Sequence, residues 1–323
     1  MKMRLAIVIV NYRTPKLVID CLASLQTEVE VGQHCVIVVD NASGDNSVEQ
    51  IHQAITANNW SEWVNVVPSP VNGGFSAGNN LGIEAVRADA YLLLNSDTIV
   101  REGAIASLLK AMETHPQAGL ISPRLEWPDT TPQISCFRYR SPVSELIGSA
   151  ATAPITQLLN SYDVPIPVSE EPIEPEWTSF ACVLIRREVI EQIGLMDEGY
   201  FMYFDDIDYC RMARNAGWKI LHWPLARVVH LRGGSSPVKA AMAARKRPKA
   251  YLYASRTRYF RKFYGSTGLL KANLFWLAGR AISRTRELLG ERPTHISEYA
   301  SRDIWMNWRN PMKPPVLSGS ENK

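Results

Sequence analysis

The sequence predicts a doubly wound α/β sheet, mostly parallel, with a helical C-terminal extension. Five short apolar runs recur through the first 125 residues: LAIVIV (5–10), CVIVVD (35–40), VNVV (64–67), YLLLN (91–95) and GLIS (119–122). They carry Val, Ile and Leu on both faces, as strands covered on two sides do. Stretches of helical character lie between them at 15–27, 45–57, 76–88 and 102–114, which completes a βαβ rhythm.

Residues 126–176 are rich in Pro, Ser and Thr with little periodicity, and read as a long, partly ordered excursion, the mobile or substrate-covering part of the chain. Order returns with WTSFACVLIRREVIEQIG (177–194), a strand and then a helix, followed by a helix over 206–216. KILHWP (219–224) and ARVVHL (226–231) read as two more strands. Beyond residue 237 the chain is helical and basic to about 290, with a polar tail.

At 323 residues, 46% hydrophobic and 21% charged, the chain can bury a sizeable core. Its five cysteines (21, 35, 136, 182, 210) are scattered without a CxxC pair. That argues against a zinc site or a disulfide framework and for reduced thiols in the cytosol. MKMRLAIVIV lacks a small-residue cleavage site and reads as a buried strand rather than a signal peptide. No run reaches the roughly 18 apolar residues of a spanning helix. The net charge of +3 is unevenly spread: Lys239 to Lys262 holds nine Lys and Arg and no acid, leaving the remaining chain net acidic. A local basic stretch points to a docking surface.

Ligands of open α/β sheets bind beyond the carboxyl ends of the strands. Strand one ends in Asn11-Tyr12 and strand two in Asp40-Asn41-Ala-Ser-Gly-Asp. Strand three leads into NGGFSAGNN (72–80), and strand four ends in Asn95-Ser96-Asp97. Each alone reads equally well as a cap or turn; four in succession read as a ligand rim. Gly73, Gly74 and Gly78 allow close backbone approach, and Asn72, Asn79 and Asn80 add amide donors and acceptors. The loop is neither GxGxxG nor a P-loop. Asp97 offers oxygen to a hard cation. His230 ends a strand; a lone histidine is more often structural than a ligand.

FMYFDDIDYCRMARNAGW (201–218) puts Asp205, Asp206 and Asp208 next to Phe201, Tyr203 and Phe204. Read alone it is a solvated helix start whose acids complement the dipole. Beside aromatics it is also a set of partly buried acids, which need a cation, a metal or a proton to deliver.

Taken together, VIVVDNAS, NGGFSAGNN, LLLNSD, and FMYFDDID followed by AGWKILHWPLARVVHLRGGSS resemble family 2 glycosyltransferases of the GT-A fold, in the rhamnosyltransferase-like branch that builds cell-surface polysaccharides. The likeness runs from about residue 4 to 236. It implies a GT-A domain over 1–236, with a nucleotide-binding half at 1–125 and an acceptor and catalytic half at 126–236, then a basic amphipathic extension over 237–323. By resemblance Asp40 reads the nucleotide base, with Val10 and Asn11 lining the same pocket. Asn95-Ser96-Asp97 stands where the family has its DxD motif, which leaves Asp97 as the main carboxylate for a Mg²⁺ or Mn²⁺ ion, and His230 helps to hold that metal. Asp205-Asp206 matches the family's Glu-Asp pair, whose second member is the base. Trp177 and Asp208 are assigned to the acceptor.

The implied reaction is inverting transfer, rhamnose from dTDP-rhamnose first and UDP-linked sugars second, onto a saccharide that is lipid-linked at the inner face of the cytoplasmic membrane. A divalent cation would stabilise the leaving diphosphate and a partly desolvated carboxylate would take the acceptor proton. A nucleotidyltransferase would need an Arg-containing Gly-rich loop after strand one, which NYRTPKL lacks. The alternative of another class is a non-catalytic nucleotide-sugar-binding scaffold. The basic segment, with Leu269, Leu270, Leu274, Phe275, Trp276 and Leu277 following, is expected to lie on an anionic membrane rather than bind nucleic acid.

Overall fold

A computed structural model describes residues 3–231, 244–290 and 296–314. The expected alternation is present: β1 (Met3–Asn11), α1 (Pro15–Leu25), β2 (His34–Asp40), α2 (Ser47–Ala57), β3 (Val64–Pro68), α3 (Gly74–Glu84), β4 (Ala88–Asn95), β5 (Thr98–Val100), α4 (Ala104–Thr114) and β6 (Ala118–Glu126). Leu5, Ile7 and Ile9 of β1 enter one core while Ala6 and Val8 enter the other. Neighbouring side chains of a strand point to opposite faces, so cover on both sides demands apolar residues at every position.

With β9 at Cys182–Arg186 and β10 at Lys219–His230, the sheet has eight strands in the order β3-β2-β1-β4-β9-β6-β10-β5. β1 pairs in parallel with β2 and β4, and β2 with β3. The second half departs from a purely parallel plan. β9 (Cys182–Arg186) is inserted antiparallel between β4 and β6. KILHWP and ARVVHL are one strand, β10 (Lys219–His230), parallel to β6 with a register shift between Trp223 and Arg227. That irregularity sits at Pro224, which cannot donate to the ladder. The short β5 closes the sheet antiparallel to β10.

The excursion holds more structure than its composition predicts. β7 (Cys136–Phe137) pairs with β8 (Trp177–Thr178), and α5 (Pro142–Ala150) opens on a capping box made by Ser141 and Ser144. Two serines in that role read as loop residues until the reciprocal hydrogen bonds are seen. α6 (Ala153–Leu158), α7 (Arg187–Ile193) and α8 (Asp205–Asn215) then precede β10. All five cysteines are free and buried.

The C-terminal α9 (Ala250–Leu288) is broken at Gly265, whose φ of 69° and ψ of −172° are not helical. A straight helix would hold residues 17 apart about 26 Å from each other, yet Arg256 Nη1 donates to Asn273 Oδ1 at 2.7 Å. The segment therefore folds back as a hairpin with limbs 250–264 and 266–288. The second limb crosses α5 closely: a Cβ at Gly279 would stand 2.9 Å from Ala150 N.

This packing corrects two expectations. The basic run has compensating acids, supplied by distant parts of the chain: Arg247 pairs with Asp303, Arg256 with Glu145, Arg258 with Asp197, and Lys262 with Asp197 and Asp208. Of the six apolar residues expected at a membrane, Leu269 is buried and Trp276 and Leu277 pack on Tyr253 and Ile304; Leu270, Leu274 and Phe275 are exposed. Lys239 and the boundary at 236/237 lie outside the described residues. Among the described residues no helix is long and apolar enough to cross a membrane.

Candidate active site

The parallel strands end level: Asn11 lies opposite Asp40, and Val10 opposite both Val39 and Asn95. Asp40 is buried, and its Oδ1 accepts from Asn11 Nδ2 at 2.7 Å and Ser43 Oγ at 2.6 Å while Oδ2 accepts from Ser43 N at 3.1 Å. The carboxylate thereby ties the end of β1 to the turn after β2. Arg13 joins them, its N–H donating to Ser43 Oγ at 2.9 Å and its Nε to Ser43 O at 2.8 Å. Sequence reasoning does not find Arg13 or Ser43 as site residues. Their only local signal is the turn composition of NASGD, which cannot show that Asn11 bridges to it.

The glycine loop is built around two asparagines. Asn41 Nδ2 donates to Asn72 Oδ1 at 3.0 Å and to Gly74 O at 2.9 Å, and Gly74 N donates to Asn72 Oδ1 at 3.1 Å. Gly74 has φ +83°, and a Cβ there would lie 2.7 Å from the Phe201 carbonyl carbon. Only glycine allows both the left-handed backbone and the contact. Phe75 N then donates to Phe201 O at 2.7 Å, which fastens this loop to the one that leads into the aspartates.

Ser96 lies between Thr14, whose Oγ1 is 3.4 Å from Ser96 Oγ, and Asp97. His230 pairs with Thr98 across β10 and β5, and Leu231 N donates to Asp97 O at 2.9 Å. His230 Nε2 consequently stands 3.5 Å from Asp97 Oδ1, both side chains being buried. His230 Nδ1 has no hydrogen-bond partner among the described residues. One carboxylate and one imidazole at this separation suit a divalent cation. No group of three or more His, Cys, Asp or Glu that could hold an ion is present among the described residues. A cation here would need further oxygens from a ligand and water.

Asp205 is buried at 6% exposure and Asp206 is half-buried. Burial first, and then the Asp206 charge, push the Asp205 carboxyl well above its ordinary range. The two residues before them, Tyr203 and Phe204, have φ of 68° and 67°. Side chains of that size rarely occupy the left-handed region.

Two family models cover most of the chain: "Glycosyl transferase family 2" matches residues 6–142 and "Glycosyltransferase like family 2" residues 173–265. The chain belongs to glycosyltransferase family 2. It is 28% identical over 229 residues to the N-acetylglucosaminyl-diphospho-decaprenol L-rhamnosyltransferase of Mycobacterium tuberculosis, covering 66% of this chain and 70% of the relative. It is 25% identical over 233 residues to the low-salt glycan biosynthesis hexosyltransferase Agl10 of Haloferax volcanii, covering 70% and 66%. Among solved structures it is similar to the mannosyltransferase PcManGT of Pyrobaculum calidifontis in complex with GDP-Man and Mn²⁺, with a TM-score of 0.58 at 14% identity over 91% of this chain and 77% of that one. GalNAc-T7 with UDP, GalNAc and Mn²⁺ gives a TM-score of 0.59 at 14% identity over 96% and 59%. Those structures share the GT-A fold.

Three expected contacts of this glycosyltransferase are spent elsewhere. Asn79 is buried, and its Nδ2 donates to Phe75 O at 2.9 Å. Asn80 is buried too: its Nδ2 donates to Met196 O at 2.9 Å and Glu198 Oε1 at 3.0 Å, and its Oδ1 accepts from Met196 N at 3.0 Å. Both asparagines are 2% exposed on α3. Asp208, assigned to the acceptor by resemblance, is 1% exposed and bonded to Tyr200 Oη and Lys262 Nζ, both at 2.8 Å. Trp177 is half-buried, its ring stacked on Phe137 at 4.2 Å and its Nε1 donating to Arg138 O at 2.8 Å. Only its ring is left for a sugar.

Proposed function

We propose that this glycosyltransferase moves a sugar from a nucleotide diphosphate to a hydroxyl of a lipid-linked saccharide with inversion at the anomeric carbon. Rhamnose from dTDP-rhamnose is the first donor to test and UDP-linked sugars the second. The observation that carries the reading is the cation-ready pair of Asp97 and His230 at the strand ends that also present Asp40. The family relationship and the rhamnosyltransferase similarity support the substrate class.

Asp40, with Val10 and Asn11, would face the nucleotide base. Asn72, Gly73, Gly74, Asn95 and Ser96 would border the diphosphate. Asp97 and His230 would hold Mg²⁺ or Mn²⁺, and such an ion, when bound, supplies counter-charge to the leaving diphosphate. Asp205 is buried, its carboxyl pKa raised by that burial and by the Asp206 charge, whereas Asp206 is the half-buried member that an acceptor can reach. The acceptor oxygen bonds to the anomeric carbon as the bond from that carbon to the diphosphate breaks. The electron pair leaves with the diphosphate and the hydroxyl proton passes to an Asp206 carboxylate oxygen.

The work would take place at the inner face of the cytoplasmic membrane. Leu270, Leu274, Phe275, Ile282 and Leu288 are exposed along the second limb of the hairpin with Lys271 and Arg284 among them. This is the pattern of a helix that lies on an anionic surface.

Hydrolysis of dTDP-rhamnose and a UDP-sugar panel with Mn²⁺ tests the reading. Asp206→Asn should lose on the order of 10²-fold or more in turnover while binding dTDP within a few-fold. Asp97→Ala should weaken Mn²⁺-dependent dTDP binding. Full activity in EDTA would remove the metal role, and an active Asp206→Asn with an inactive Asp205→Asn would exchange the two aspartates. Binding of every donor without turnover would favour the scaffold alternative.

A further inference from the structure

We propose that the first limb of the C-terminal hairpin, residues 250–264, is a positioning clamp that holds Asp205 and Asp206 in their working place through Lys262 and Arg258. This rests on the reading of that pair as the proton-accepting site. The segment leading into the pair cannot hold itself. Tyr203 and Phe204 are consecutive left-handed residues, neither being Gly or Asn, and α8 begins without a side-chain cap. Strain of this kind persists only where the surroundings over-determine it.

The surroundings are the limb. Ser255 Oγ donates to Met202 O at 3.1 Å. Tyr251 lies 5.1 Å from Phe201 and 6.3 Å from Tyr203, ring centre to ring centre, and Tyr259 lies 5.5 Å from Phe204. The ionic ties bracket the strained turn on both sides. Upstream, Arg258 binds Asp197 in two-pronged fashion at 2.7 and 3.0 Å. Downstream, Lys262 binds Asp208 at 2.8 Å, one helical turn beyond Asp205, and also reaches Asp197 at 3.4 Å.

Charge adds to the geometry. α8 opens with Asp205, Asp206 and Asp208 in its first turn, and like charges one turn apart repel. Lys262 offsets the member that is most deeply buried. The stretch that reads in sequence as a basic docking surface is thus in part an internal brace on the acids.

The test compares Lys262→Met, Lys262→Arg and the double variant Lys262→Met/Asp208→Asn in the hydrolysis of whichever panel donor the wild type turns over. Lys262→Met is expected to lose on the order of tenfold to a hundredfold in kcat while its dissociation constant for dTDP stays within about two-fold. Lys262→Arg should recover most of that loss. The double variant leaves no buried carboxylate unpaired, so Tm should recover while kcat should not. Amide exchange across 199–206 should rise about tenfold in Lys262→Met with β1 and β2 unchanged. If kcat follows Tm through all three variants, or Lys262→Met keeps wild-type turnover and exchange, the limb only packs and the clamp is overturned. Asp206→Asn in parallel separates the failures: an active Asp206→Asn removes the base assignment itself, whereas an inactive one beside an unimpaired Lys262→Met removes the clamp alone.

Discussion

Replacing Gly74 with alanine sets a side chain against the junction of the two functional loops. At φ +83° an alanine costs about 1 kcal/mol or slightly more for the left-handed backbone alone. The added Cβ would also lie within 2.7 Å of the Phe201 carbonyl carbon and ring, so that backbone must retreat. Retreat breaks the 2.7 Å bond from Phe75 N to Phe201 O and leaves two poorly solvated groups without partners, which adds about 1–2 kcal/mol. The total is about 2–3 kcal/mol. At about 2–3 °C per kcal/mol for a chain of this size, Tm should fall by about 4–9 °C in calorimetry. Gly44 is the control, because it too has positive φ, +67°, but nothing lies within 4 Å of its added Cβ. Gly44→Ala should cost only the backbone share, about 1 kcal/mol. Donor turnover should fall in Gly74→Ala because one displacement moves both the diphosphate loop and the turn before the aspartates. Equal Tm losses in the two variants, or wild-type turnover and stability in Gly74→Ala, would refute the close-approach argument.

The pH profile of stability should carry the mark of His222, whose imidazole is pushed down to about 4 by burial first and then by Arg124. A depressed histidine binds its proton more readily unfolded than folded. Stability is therefore full above 6.5 and lost as pH falls from 6.5 to about 4, by up to about 3 kcal/mol. His222→Gln should flatten that limb in urea unfolding at pH 4.5 and 7.5, and an unchanged slope would count against it. Leu274→Gln with Phe275→Gln should reduce binding to anionic vesicles about tenfold or more, since two large apolar groups no longer leave water. Vesicle sedimentation should show the loss without a change in Tm, and no binding by the wild type to vesicles of any composition would end the membrane assignment.

Much of the fold is legible in the sequence because its signals are local. Continuous apolar runs are what a strand covered on two faces requires, and β1, β2, β3, β4 and β6 all appear at the expected runs. The placement of Asn11, Asp40, Asp97 and His230 is legible for the same reason, since Asn11, Asp40 and His230 each end a strand, Asp97 follows the end of β4 by two residues, and strand ends share an edge once the strands are parallel. What the tertiary structure decided concerns pairings between distant residues. Whether β9 runs antiparallel between β4 and β6 depends on connections that no window of sequence contains. Asn80 and Asp208 have the same composition-level appearance as rim residues, but one is used by Met196 and Glu198 and the other by Tyr200 and Lys262. The basic run is the clearest case. Its cations look uncompensated because Glu145, Asp197, Asp208 and Asp303 are between 54 and 111 residues away from the partners they meet. A charge pattern records which charges a chain carries, and only the fold, which sets distance and burial, determines whether each faces water or another charge.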